Sequence, residues 1–171
     1  MNKVYGLKEE FVPIRSDRSR LIVSYNCKEE KDNIHATWCE IYFYKKPHPN
    51  VSDEEIKSAI LEDIDNEVKR LIIETMTWDG KQVWLSIENQ QNYKSALDVA
   101  KETDGENLPV KFKFGGEDEP AYITFETIES LKEFWLACCG HIRECLSYGW
   151  NLKDSINWDD YKIISKKAHA F

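Results

Sequence analysis

The densest group of reactive side chains in the chain is Cys138-Cys139-Gly140-His141, followed by Cys145. Cys138, His141 and Cys145 stand at i, i+3 and i+7, close to one side of a helix, and thiolate and imidazole are the ligands zinc prefers. Zinc needs four ligands, however, and structural sites draw them in pairs from tight loops. The remaining histidines, His35, His48 and His169, are scattered and supply no second pair. Cys138 lies in the middle of an apolar arc with His141 at its edge, and a free cysteine packs as a small hydrophobe. The residues therefore read as core, with no metal and no cofactor. A thiol nucleophile would need a base within reach. At about 100° per residue, His141 points roughly 200° away from Cys139, so the two do not meet within a helix.

Other candidate chemistry is weaker. Asp53-Glu54-Glu55 complements the positive end of a helix. Glu117-Asp118-Glu119 falls in a turn and lacks the spaced oxygen ligands of a calcium loop. Gly115-Gly116 lacks the phosphate-loop pattern, and the chain contains no GxSxG, HExxH or CxxC.

The elements that must position these residues follow from composition and periodicity. The chain has 171 residues and a formal charge of −8. Few glycines and prolines, and no long apolar run, exclude a collagen, a disordered chain and a membrane-spanning helix. The negative charge argues against nucleic acid as partner, because that binding needs lysines and arginines on phosphates. The charge is uneven: residues 1–20 sum to +2, residues 161–171 to +3, and the body between them to −13. Five cysteines, an odd number, without an apolar leader at the N-terminus, point to reduced thiols and a cytoplasmic setting.

Residues 1–17 are polar and read as an arm, with a short edge strand at 11–14. Leu21, Val23 and Tyr25 alternate as in a strand, and residues 35–45 are dense in β-branched and aromatic types. The prolines of 46–51 break the chain. Ser52 and Glu55 form a capping box, and Ile56, Ile60, Ile64, Val68, Leu71 and Ile72 recur at helical spacing as far as Thr77. Residues 81–87 read as a strand. Ser86 or Glu88 opens a second helix with Tyr93, Ala96, Leu97 and Ala100 on one face. Val110, Phe112 and Phe114, then Ala121, Ile123 and Phe125, make a hairpin. Thr127 caps a last helix carrying Leu131, Trp135, Cys138, Ile142, Cys145 and Leu146 in one arc, with Gly149 as its stop and a further turn after it. The expected fold is α+β, a largely antiparallel sheet with helices on one face, in the order β-β-α-β-α-β-β-α. The expected organisation is an arm at 1–17, one domain at 18–160 and a basic tail at 161–171.

Five of the six tryptophans follow residue 77. Trp150 and Trp158, among the polar residues Lys153 and Asp154, have the character of interface anchors. The segments 83–100, 108–115, 122–135 and 141–158 resemble the domain of unknown function family 4376, found in phage and prophage proteins. The resemblance covers residues 81–158, about half the chain, and rests on Trp84, Asn89, Tyr93, Phe125, Leu131, Gly149, Trp150, Lys153 and Asp154. The opening residues 6–18 are similar to the N-terminal part of such proteins. The resemblance carries no catalytic motif; it implies a tail or tail-fibre associated protein, assembly factors included.

Two expectations follow. The leading one is a non-enzymatic accessory protein that works by protein–protein contact through Trp150, Lys153, Asp154 and Trp158, with a phage tail component as partner and a homodimer as a natural state. The alternative is a small enzyme or ligand-binding domain, with His35, Cys39 or Glu40 facing residues 138–141.

Overall fold

The computed structural model describes residues 1–17, 19–44, 51–116 and 118–163. The breaker at 46–51 lies outside these residues except for Val51, and so do Glu117 and residues 164–171 of the basic tail. The fold is α+β with antiparallel sheets, in the expected order of strands and helices. It holds three antiparallel sheets where the sequence suggested one: a four-stranded sheet and two separate two-stranded ones. The chain divides into two compact units, one of residues 1–67 with 149–171, the other of residues 68–148.

The first unit is built on the four-stranded sheet. Its strands are β1 (Asn2–Leu7), β2 (Ile14–Ser16), β3 (Arg20–Glu29) and β4 (His35–Tyr44), in the spatial order β1-β4-β3-β2. β1 lies in the stretch read as an arm, yet it pairs with β4 from Asn2 opposite Glu40 to Leu7 opposite His35. Gly6 makes this pairing possible. A Cβ there would stand 2.8 Å from the Trp38 ring and 2.6 Å from Glu10 Oε2, so no larger residue fits.

Both faces of the sheet are covered, so β3 reads as the nearly continuous apolar run LIVSY. Val23, Tyr25 and Cys39 share one face, and Ile22, Ser24, Trp38 and Glu40 the other, all buried. Helix α1 (Asp53–Glu74) is tied to the first face by the Tyr25 hydroxyl, which donates to Asp63 at 2.5 Å. Ile56, Ile60 and Ile64 of α1 are fully buried, and the capping box forms as expected, with Ser52 N–H donating to Glu55 and Glu55 N–H to Ser52 Oγ. Tyr161, at the head of the basic tail, is also buried and donates its hydroxyl to the Ser24 carbonyl at 2.9 Å.

The second unit packs helix α2 (Ile87–Glu102) and most of helix α3 (Ile128–Asp154) with the hairpin β7 (Val110–Phe114) and β8 (Ala121–Phe125). The strand expected at 81–87 is shorter: Thr77–Trp78 (β5) pairs with Lys81–Gln82 (β6) around the turn at Asp79-Gly80. Ser86 caps α2 by accepting from Asn89 N–H. The core is aromatic and centres on Phe134, which touches Trp78, Tyr93, Phe112, Phe114 and Phe125 at centroid distances of 5.0–6.2 Å.

Gly149 does not stop α3, which runs on to Asp154. A glycine inside a helix costs roughly 1 kcal/mol against alanine, and burial of the surrounding turn outweighs that. Trp150 and Lys153 are consequently helical residues, and the further turn reduces to a 3-10 segment at Trp158–Tyr161.

Replacing Phe134 by alanine removes the ring that five others contact. We expect a loss of about 3–5 kcal/mol in the stability of this unit, read by urea denaturation with hydrogen exchange resolving the two units.

Candidate functional site

Two clusters of ionisable or reactive side chains are assembled by the fold, and each is satisfied within its own unit. The first surrounds Glu40. Strand alternation puts Trp38, Glu40 and Tyr42 on one face of β4, and the buried Glu40 carboxylate collects a donor from each direction. Oε1 accepts from Arg15 Nη2 at 2.8 Å and from Trp38 Nε1 at 2.9 Å. Oε2 accepts from the Tyr42 hydroxyl at 2.7 Å, and Tyr42 in turn accepts from Asn2 Nδ2 at 3.2 Å. The Arg20 guanidinium lies over the Tyr42 ring, 5.2 Å from its centroid. Burial pushes the Glu40 carboxyl up, but the bonds from Trp38, Tyr42 and Arg15 outweigh it and hold the group below the usual glutamate range. A carboxylate with three donors is fixed as an anion, which suits a structural staple better than proton transfer.

The second cluster is the cysteine group on α3. Cys138 is fully buried, and burial pushes its thiol up to about 12. Burial thus disfavours the thiolate form that nucleophilic attack requires. His141 Nε2 lies 3.1 Å from the Leu71 carbonyl in the last turn of α1, which also accepts from Thr75 N–H and Thr75 Oγ1. That bond places the proton on Nε2 and gives the imidazole a capping role, with Cys145 Sγ 3.6 Å from the same nitrogen. Among the described residues, no three His, Cys, Asp or Glu side chains are grouped to hold a metal ion.

The residues of the alternative reading fall on both faces of one strand. His35 and Cys39 share a face of β4, and Glu40 lies on the other, so these three do not converge. His35 Nδ1 is 2.6 Å from Asp32, and its ring stacks on Tyr5 at 5.2 Å. Asp32 also accepts the N–H groups of His35 and Ile34; these backbone bonds and the His35 side chain hold its carboxyl down to about 2. This closes the β3–β4 turn.

The residues expected at an interaction surface take different positions. Trp150 stands 58% exposed on the last turns of α3. Lys153, one turn further, bonds Asp65 of α1 at 2.5 Å, and Asp154 is exposed. Trp158 is half-buried: Lys57 Nζ lies 5.1 Å from its ring centroid and Tyr161 flanks it at 6.1 Å. Trp158 is therefore occupied by its own unit, while Trp150 presents its ring to solvent. Other apolar side chains are exposed too, among them Trp84 just before α2, Ile87 at its start and Tyr122 on β8, none of which sequence reasoning placed at a surface site. Their signal lay in their positions: Tyr122 alternates out of phase with the apolar face of its strand. No protein-family model, curated protein or solved structure matches the chain.

Two measurements probe the two clusters. A carboxyl held below its unfolded value stabilises the fold above that unfolded value and loses the contribution as pH falls through the folded one. Glu40→Gln should therefore cost about 1.5–3 kcal/mol at neutral pH and show a shallower loss of stability between about pH 5 and 3 than the unaltered protein, read from thermal melts across that range. At about pH 8, close to the ordinary cysteine value, iodoacetamide followed by peptide mass spectrometry should label Cys138 last of the five thiols.

Proposed function

We propose that this protein is a non-enzymatic accessory protein of phage or prophage type that acts by binding another protein, with a tail or tail-fibre component as the partner. The observation that carries this reading is Trp150. Tryptophan is mostly buried in folded chains, and here the ring stands on a long, well-capped helix with more than half its surface in water. A rigid aromatic side chain with a charged rim, supplied by Lys153, Asp65 and Asp154, has the make-up of a binding hot spot. The resemblance of residues 81–158 to a phage-borne family supports the setting. An acidic body of this charge suits a binder that avoids nucleic acid.

The test is affinity capture with the tagged protein from a host carrying the phage, followed by binding to the purified component. Recovery of a tail component, with capture lowered at least about tenfold by Trp150→Ala at unchanged melting temperature, supports the reading. Equal capture by the variant removes Trp150 from the interface. Turnover of a metabolite pool with no protein captured overturns the proposal in favour of an enzyme.

A further inference from the structure

Strand β8 occupies one side of its two-stranded sheet, and among the described residues β7 is its only strand partner. In an antiparallel pair, alternate N–H and C=O groups of each strand point away from the partner. Among the described residues, no backbone or side-chain hydrogen bond joins those outward groups of β8 to another part of the chain. Natural edge strands are usually guarded by an inward lysine, a proline or a bulge. The five residues of β8, Ala-Tyr-Ile-Thr-Phe, contain none of these and carry no charge. Tyr122 is 61% exposed, and Thr124 is exposed beside it. The edge is thus open, flat in chemistry and high in β-propensity.

Its surroundings select the occupant. Where β8 ends and β7 begins, Asp104, Glu126 and Glu129 surround an open depression of about 480 Å³ with Leu108 and Ile128 in its lining. A mostly polar lining with three carboxylates matches the positive charge of a long basic side chain. The N-terminus of α3 has its own cap, Thr127 Oγ1 accepting from Ser130 N–H, so its positive end is already answered. A second copy of β8 fits less well, because antiparallel self-pairing would set the Glu126 end of one strand beside the end of the other that follows Asp118 and Glu119, acid against acid.

Resting on the reading of this protein as a protein binder, we propose that the free edge of β8 accepts an extended strand from the partner, with a lysine or arginine at the end of that strand seated among Asp104, Glu126 and Glu129. The added strand gains affinity from main-chain hydrogen bonds and specificity from the acidic depression.

The full chain, labelled with nitrogen-15, is titrated with the synthetic peptide Arg-Thr-Val-Thr-Val-Thr. Comparison peptides carry Glu in place of Arg, or N-methyl groups on both valines. Amide shifts confined to β8 and the residues around the depression support the proposal if both comparison peptides bind at least about tenfold more weakly. The charge-reversed double variant Glu126→Lys, Glu129→Lys, away from the core, should then prefer the Glu peptide. No shift with the Arg peptide at millimolar concentration overturns the proposal. So does equal binding of the N-methylated peptide, or broadening of β8 with protein concentration alone, which would mark a second copy as the occupant. Because Trp150 lies on α3 and not on β8, the two readings separate. Tail-component capture with no peptide bound removes only the edge. Peptide bound at β8 with no protein captured leaves an edge that binds strands and removes the tail-component reading.

Discussion

A carboxylate can be taken out of water only if donors replace the water, and Glu40 takes its donors from across the sheet. Its own strand, β4, supplies Trp38 and Tyr42, and β2 supplies Arg15. β1 adds Asn2 through Tyr42, and β3 lays Arg20 over the same ring. All four strands thus meet at one acid. A shift of β2 by one residue would turn Arg15 to the opposite face and leave Glu40 buried and short of a donor, and a shift of β1 or β3 would strip Tyr42 of Asn2 or Arg20. The register of the sheet is therefore fixed by a polar requirement as well as by its apolar faces. Buried ionic groups often add little net stability but exclude alternatives; here the alternative excluded is a slipped strand.

The second unit solves the same problem without charge. Phe134 needs no partner for any polar atom, so its contacts are limited only by shape. Five rings close on it from α2, the β7–β8 hairpin and the β5–β6 turn. Edge-on and tilted arrangements dominate, as the quadrupoles of aromatic rings favour. The sequence arc on α3 ran through Leu131, Trp135 and Cys138 and passed over Phe134, because an arc drawn from one helix weights positions by angle alone. What makes Phe134 central is the hairpin opposite, and that lies outside any helical window.

Much else was legible locally. The isoleucines of α1, the Ser52–Glu55 box, the Ser86 cap and the alternation of β7 and β8 are all set by neighbours within four residues. β1 was not, because its sequence, Asn-Lys-Val-Tyr-Gly-Leu, alternates weakly, and its place depends on Gly6 meeting Trp38 thirty-two positions away. The length of α3 was missed for a related reason. Gly149 carries a local stop signal, and tertiary burial overrides it. Of the candidate surface, Trp150 is exposed and Trp158 is half-buried with Lys57 over its ring, a difference that nothing in the local segment discloses.

The cysteines show how burial decides between readings that spacing leaves open. Cys138, His141 and Cys145 do gather along one helix, as i, i+3 and i+7 require. Their surroundings give two of them other roles: Cys138 packs in an apolar core that holds its proton, and His141 bonds the end of a helix. The exposed features of the described residues include an aromatic ring on a rigid helix and the uncharged edge of a short strand. Both are suited to contact with another chain, by different forces: area and shape at Trp150, and main-chain hydrogen bonding at β8.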